Sequence, residues 1–401
     1  MCATHRWRTR CLSQLRRRIV DPESSPSRTR KLLPTGQGRN SLKSKKAALV
    51  AACIIVPVLL AGCVSTKQEP EVTSASILGS LDPDCIGCGP DAYTQEYAPH
   101  AMAYALLAGT GALLDDKGLS QEAADWLVQH SQLTDTSVGW GLGFSWDAFG
   151  DGSVNPISTS YGITTALAVR GLLDVYEKTE VELYRDTAVS ALTSYLPSHT
   201  VTDDGVFFWY SDQEADAFNT FNVGAMLIGQ YARAGKLTGN DEFTKIADLA
   251  AANLLANELT SDDVSYWHYS AVEAKPNDAV HAAYIVQGLI DYTEASDVAI
   301  DVGPAVAYLR SFLTTEGVME FSPIHAYEPP GEEQVARLWG VGMLIHVLAD
   351  SGDPSSAMTA AESLANYEGA DGKLLNRPSA EGASEPRMTA HAALGLARIG
   401  N

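Results

Sequence analysis

The sequence predicts an all-α protein: a closed α/α toroid of six helical hairpins, with short extended segments in its loops. Three observations lead there. A small-residue, strongly apolar helix recurs roughly every 60 residues, beginning near Tyr97, Ser158, Ala217, Asn277, Gln334 and Arg387. A second, amphipathic helix lies between successive copies. No run of alternating strands competes with the helical periodicity. In such a repeat each hairpin buries its apolar face only against its neighbours, which a ring satisfies at every position.

The N-terminal region has a different organisation. Lys43, Lys45 and Lys46 precede an apolar run from Ala47 to Leu60. The layout is that of a signal peptide, and at about 14 residues the run is shorter than the roughly 20 that span a bilayer. It ends in Leu60-Ala61-Gly62-Cys63, which resembles a lipobox. The resemblance implies cleavage before Cys63 and lipid on its thiol. The chain is then an exported, membrane-anchored bacterial lipoprotein on the periplasmic or cell-surface face, bound to the bilayer through acylated Cys63. The alternative is an uncleaved membrane anchor. Residues 1–42, rich in arginine, fit a start codon assigned too far upstream. The expected divisions are a leader and signal peptide over 1–62, a lipidated cysteine and flexible tether over 63–92, and the toroid over 93–401.

Without residues 1–62 the chain carries 15 Lys+Arg against 47 Asp+Glu, a net charge of −32. A field this negative excludes nucleic acid as a partner and weighs against polyanions unless cations are concentrated locally. Cys2, Cys11 and Cys53 lie in the leader or signal peptide. Cys85 and Cys88 remain, and in an oxidising compartment they are expected to form a disulfide, with a redox pair or half a metal site as alternatives.

Within the body, segments such as Ile163–Leu173 and Ala282–Ile290 carry small apolar residues on several faces, the mark of a helix packed on both sides. Gln121–Leu133, Glu180–Leu196, Glu242–Leu259, Asp301–Leu313 and Ala357–Tyr367 carry one apolar stripe and read as outer helices. Extended segments at Val206–Tyr210, Val264–Tyr269 and Val318–Phe321 sit just before inner helices.

On this alternation the chain resembles the six-hairpin (α/α)6 toroid class. That class includes glycosidases, uronic-acid polysaccharide lyases, glucuronyl epimerases and terpenoid cyclases. The resemblance rests on architecture and aromatic loops, and it implies a carbohydrate site without choosing the reaction.

In a toroid the loops entering the inner helices gather at one mouth. Those loops hold Trp140, Trp146, Asp147, Phe149, Asp151, Tyr161, Trp209, Asp212, Asn222, Trp267, His268, Tyr269, Lys275, Asn277, Asp278, His281, Tyr284, Glu320, His325, Arg337, Trp339, Arg387 and His391. Aromatic rings stack on sugar C–H faces while Asn, Asp and Arg bond hydroxyls or carboxylates. Trp140, Trp146, Tyr161, Trp209, Asn222, Trp267, His268, Asn277, Trp339 and Arg387 are therefore the substrate-binding candidates. The bland reading is that the aromatics plug hairpin junctions.

His281, Tyr284, Tyr269, Asp278, Asp147 and Arg337 are the catalytic candidates. His281 and Tyr284 share a helix face. In a lyase or epimerase, His281 or a tyrosine would take the proton beside a uronate carboxylate that Arg337, Arg387 or Lys275 neutralises. In a glycosidase, two carboxylates among Asp147, Asp151, Asp212, Asp278 and Glu320 would flank the bond. A non-catalytic glycan-binding or exopolysaccharide-assembly lipoprotein would use the same cleft. The sequence has no H-E-x-x-H, D-x-D-D, phosphate loop or Gly-x-Ser-x-Gly. No metal and no cofactor is expected, and the expected partner is a polysaccharide or oligosaccharide.

Overall fold

The computed structural model describes residues 72–90, 95–148, 150, 152–327, 331–378, 380 and 384–400. The expected signal peptide, Cys63, Phe149 and Asp151 lie outside the described residues. Among those described, no helix is long and apolar enough to cross a membrane.

The inner helices are α2 (Ala101–Leu113), α4 (Gly162–Thr179), α6 (Phe221–Thr238), α8 (Ala279–Ala295), α10 (Leu338–Asp350) and α12 (Pro386–Ile399). Each starts within four residues of the position expected from the repeat. The first five are followed by the outer helices α3 (Lys117–Gln129), α5 (Glu182–Tyr195), α7 (Asp241–Ala256), α9 (Gly303–Arg310) and α11 (Pro354–Glu362), the last extended by a 3-10 turn over Ser363–Tyr367. Neighbouring inner helices touch in chain order, and α12 touches α2, so the ring closes. This is the (α/α)6 toroid.

The small residues of the inner helices let backbones meet. A Cβ on Gly288 would stand 2.1 Å from the Ala225 carbonyl oxygen, and one on Gly342 would stand 2.4 Å from the carbonyl carbon of His391. Every residue of α2 from Met102 to Ala112 is buried, whereas α5 buries one stripe formed by Tyr184, Thr187, Ala188, Ala191, Leu192 and Tyr195. Propensity alone would not hold such short helices in water; burial of these faces does.

The sixth outer position is filled from the other end of the chain. Helix α1 (Ser74–Gly79) packs on α12, and the Ser74 hydroxyl donates to the Ala393 carbonyl at 3.2 Å. The expected tether over 63–92 therefore needs correction from Val72 onward, where the chain belongs to the folded body. Val72, Ile77 and Ile86 are buried, and Thr73 and Ser76 form a capping box. Cys85 and Cys88 are joined as a disulfide. Beyond it, β1 (Cys88–Pro90) pairs antiparallel with β2 (Tyr97–Pro99), leading into α2.

Two-stranded hairpins also form between the hairpin units. β3 (Trp146–Asp147) pairs with β4 (Val154–Asn155), β5 (His199–Thr202) with β6 (Gly205–Phe208), β7 (Leu259–Ser261) with β8 (Val264–Tyr266), and β9 (Leu313–Thr314) with β10 (Gly317–Val318). The extended segments expected before α6, α8 and α10 supply β6, β8 and β10.

Candidate functional site

The mouth is built by a repeated solution to one problem, the unsatisfied N–H groups at a helix start. The first N–H of an inner helix donates to a carbonyl in the loop of the next repeat: Gly162 to Tyr210 at 3.0 Å, Phe221 to Tyr269 at 3.2 Å, Ala279 to Glu320 at 2.9 Å and Leu338 to Asn376 at 2.8 Å. Loops far apart in sequence are thereby stitched side by side around the rim. The N-cap positions of α8, α10 and α12 are Asp278, Arg337 and Glu385, alternating in charge.

Asp278 is the centre of this arrangement. Its Oδ1 accepts the His281 backbone N–H at 3.0 Å, capping α8, and lies 2.6 Å from His281 Nδ1. Its Oδ2 accepts from Arg337 Nη2 at 2.8 Å. Burial pushes the Asp278 carboxyl up, but His281 and then Arg337 outweigh it and hold the group down at about 2. Arg337 continues the chain of charges to Glu320, donating Nε to Oε1 at 2.7 Å and its backbone N–H to Oε2 at 2.8 Å. Arg377 Nη2 adds a contact to Glu320 Oε1 at 3.4 Å. Burial, then the neighbouring Asp278 charge, raises the Glu320 carboxyl.

With Nδ1 fixed on Asp278, the other ring nitrogen of His281 has no hydrogen-bond partner among the described residues, and the side chain keeps 18% of its surface open. Aromatic rings surround it edge to face: Tyr269 at 5.0 Å and Trp339 at 5.9 Å. Arg337 and Arg387 lie over the Trp339 ring at 4.9 and 5.3 Å, and Lys275 lies over Tyr269 at 5.8 Å. Beneath them Tyr284 hydrogen-bonds His391 Nε2 at 2.5 Å, while His391 Nδ1 donates to the Arg387 carbonyl at 2.5 Å. A carbonyl only accepts, so Nδ1 carries the proton and Tyr284 is the donor to Nε2. Burial pushes His391 down to about 3, and burial raises the Tyr284 phenol.

His281, Asp278, Tyr269, Arg337, Trp339 and Arg387 therefore come together, as expected from the sequence. Others do not serve as expected. Tyr284 is buried and committed to His391, which removes it as an acid or base open to substrate. Arg337 is bound to two carboxylates of its own chain, so it positions them instead of meeting a substrate carboxylate. Asp147 accepts the backbone N–H groups of Gly150 at 2.7 Å and Gly152 at 2.9 Å, holding its own loop.

The aromatic candidates divide in the same way. Trp140 and Trp267 are buried and occupy equivalent junctions, each indole N–H donating to the carbonyl of an outer-helix residue, Leu127 at 3.0 Å and Leu254 at 2.8 Å. Tyr161 is buried against Trp146 and Tyr210, with Asn155 donating to its hydroxyl at 3.2 Å. Trp209 is fastened to its own strand pair through the Thr200 hydroxyl at 2.8 Å. Asn277 is buried and donates to the Trp267 and His268 carbonyls, each at 3.0 Å. For Trp140, Trp267 and Tyr161 the junction-plugging reading fits. Among the described residues, the buried Nδ1 of His268 and the buried Oδ1 of Asn222 at the start of α6 have no hydrogen-bond partner, and Trp146 is partly buried in its hairpin.

Two contributors were missed in the sequence: Arg377 behind Glu320, and Glu385, which pairs with Arg387 at 2.8 Å. Glu385-Pro386 opening a helix was the available signal for the second. Arg377 lies in an irregular loop and carried none.

The ring of six inner helices with this mouth defines a six-hairpin toroid of the class found among carbohydrate-active proteins. Solved structures share it: an α-amylase from Clostridium perfringens (12% identity, 81% of this chain and 96% of that chain, TM-score 0.57), a sugar epimerase from a ruminal bacterium (12%, 82% and 97%, 0.56) and an α-mannanase from Bacteroides thetaiotaomicron (11%, 81% and 93%, 0.55). A polysaccharide lyase is similar over 75% of this chain and 89% of its own, at 11% identity and a TM-score of 0.50. At such identities the likeness is one of fold. No family model matches the sequence, and no curated protein sequence matches it.

Proposed function

We propose that this chain is a carbohydrate-active enzyme whose acid-base residue is His281, acting on a polysaccharide or oligosaccharide at the mouth of the toroid. The observation that carries the reading is the Asp278–His281 pair. One ring nitrogen is anchored at 2.6 Å, and the other has no hydrogen-bond partner among the described residues on a partly exposed ring flanked by Tyr269 and Trp339. An imidazole held this way presents its free nitrogen for proton transfer, and the paired carboxylate stabilises the imidazolium that forms.

Proton transfer beside a sugar carboxylate or carbonyl, the chemistry of lyases and epimerases, suits this geometry better than a carboxylate pair. Asp278 and Glu320 share one guanidinium, Arg337, and do not face each other across an open gap. Asp216 is buried and accepts from Asn155 and Ser211, each at 2.6 Å, while Asp212 is held by Gln213 at 2.6 Å. In this mechanism His281 takes the proton, Tyr269, packed edge to face against it, serves as the proton donor, and Trp339 lines the site beside them. Lys275, over the Tyr269 ring, supplies positive charge that tolerates an acidic residue despite the overall charge of the chain, whereas Arg387 is paired with Glu385.

The test is a screen of the purified protein against neutral and uronate-containing glycans, reading absorbance of unsaturated uronate together with reducing ends. His281→Gln should abolish turnover and keep glycan binding. If the variant turns over a bound glycan at the wild-type rate, the catalytic reading is lost and a glycan-binding protein remains. We further propose that the chain is exported and lipid-anchored at Cys63. Cys63→Ala should move the protein from the detergent phase to the aqueous phase, and an unchanged partition would refute the anchor.

A further inference from the structure

The loop that leaves β10 carries an aromatic pair beside the Asp278–His281 site that the proton transfer does not use. Phe321 pairs with Asp278 in an antiparallel bridge, one residue past Glu320, whose carbonyl accepts the first N–H of α8. A 3-10 turn over Pro323–His325 follows. The Ser322 hydroxyl accepts the Ile324 N–H at 3.2 Å, and His325 Nε2 lies 2.7 Å from the Tyr308 hydroxyl of α9. The chain then reverses at Ala326 and brings the Tyr327 ring edge to face against Phe321, with centroids 4.8 Å apart.

Two independent observations single out this pair. The reversal requires a φ of 49° at Ala326, in the left-handed region that a Cβ disfavours. The other non-glycine residues with positive φ among those described, Gln95, Asp115, Glu180 and Asp262, are all polar; Ala326 has no side-chain group to bond its own backbone. Strain of this kind concentrates at ligand-binding positions, and here it places Tyr327. Second, Tyr327 is 45% exposed, and its hydroxyl has no hydrogen-bond partner among the described residues. The other aromatic residue among the exposed large hydrophobics, Tyr97, has its hydroxyl fastened to Asp82 at 2.5 Å. An edge-to-face contact covers at most one face of Tyr327, so Phe321 leaves the other face open. An apolar ring face with a polar tip is what a sugar ring, with its C–H face and its hydroxyls, would meet.

We propose that Phe321 and Tyr327 form an additional glycan subsite next to His281, with Tyr327 stacked on the C–H face of a pyranose ring and its hydroxyl bonded to a sugar hydroxyl. The inference rests on the reading of the mouth as a glycan site and adds a requirement for substrate length. Tyr327 is connected to His281 through Phe321 and Asp278, so a glycan that touches both extends past the reacting sugar. The occupant is a run of linked sugars, and a single sugar or a disaccharide held at His281 leaves the subsite empty.

Calorimetric titration of the purified full chain with oligogalacturonates and manno-oligosaccharides of two, four and six units tests it, one series acidic and one neutral. Affinity should rise with length in the series that binds. Tyr327→Ala should weaken the hexasaccharide about tenfold, the scale of one lost stacking contact, and leave the disaccharide and the melting temperature unchanged. Tyr327→Phe keeps the ring and should retain most of the affinity. The length dependence should persist in His281→Gln, so the subsite and the acid-base role are read separately. Unchanged hexasaccharide affinity in Tyr327→Ala, a parallel loss for the disaccharide, or binding of neither series by the wild type would overturn the subsite. Unchanged turnover in His281→Gln with the Tyr327 effect intact would overturn only the acid-base role. A wild type that is dimeric in sedimentation, and that Tyr327→Ala makes monomeric, would assign the ring to a second copy of the chain and also overturn the subsite.

Discussion

Replacing Asp278 by Asn separates the charge of this residue from its capping role. Asn is as good an N-cap as Asp, so the start of α8 is retained. What is lost is the negative charge between His281 and Arg337. The Asp278 carboxyl stands at about 2 in the folded chain against an ordinary 3.8. At roughly 1.4 kcal/mol per pH unit, that difference stabilises the fold by an amount on the order of 2–3 kcal/mol. The folded value is depressed, so the contribution is fully present above the unfolded value and is lost as pH falls through the folded one. About half should remain at pH 3. Urea unfolding followed by tryptophan fluorescence should show Asp278→Asn less stable than wild type by on the order of 2–3 kcal/mol at pH 7, with the gap about halved at pH 3. A gap below about 0.5 kcal/mol at pH 7, or one of the same size at both pH values, would refute the assigned electrostatics.

The junction tryptophans and the site tryptophan should behave differently. Trp140→Ala and Trp267→Ala should each cost about 3–5 kcal/mol in thermal or urea unfolding. Partly buried Trp339→Ala should cost less stability than either and weaken glycan binding in the same preparation. Cys85→Ser/Cys88→Ser should lower stability by about 2 kcal/mol, the chain-entropy value for so short a loop, with the change read as a drop in melting temperature that reductant reproduces in the wild type.

The ring was legible because its cause is local. Inner helices must be small on several faces where Gly288 meets the Ala225 carbonyl and Gly342 meets His391, and that composition recurs at the repeat spacing. Helix α1 was not legible, because a six-residue element has too little periodicity to separate from a polar tether, and its burial partner lies more than 300 residues away at Ala393. At the site, His281 and Asp278 could be grouped from sequence because capping and helical spacing tie them together. Trp140 and Trp267 were misassigned because an indole that plugs a junction and one that stacks on a sugar share the same loop position. Their burial and their hydrogen bonds to Leu127 and Leu254 separate them from Trp339. Tyr284 shares the face of His281, but its partner comes from α12, and helical spacing carries no information about that contact.

The measurement that bears most directly on the central claim is turnover and binding for His281→Gln beside wild type on the same glycan, with folding verified by melting. The Asp278–His281 account predicts retained binding, a retained melting temperature, and turnover reduced by about a hundredfold or more, the scale of one acid-base residue. Turnover within a fewfold of wild type would contradict it.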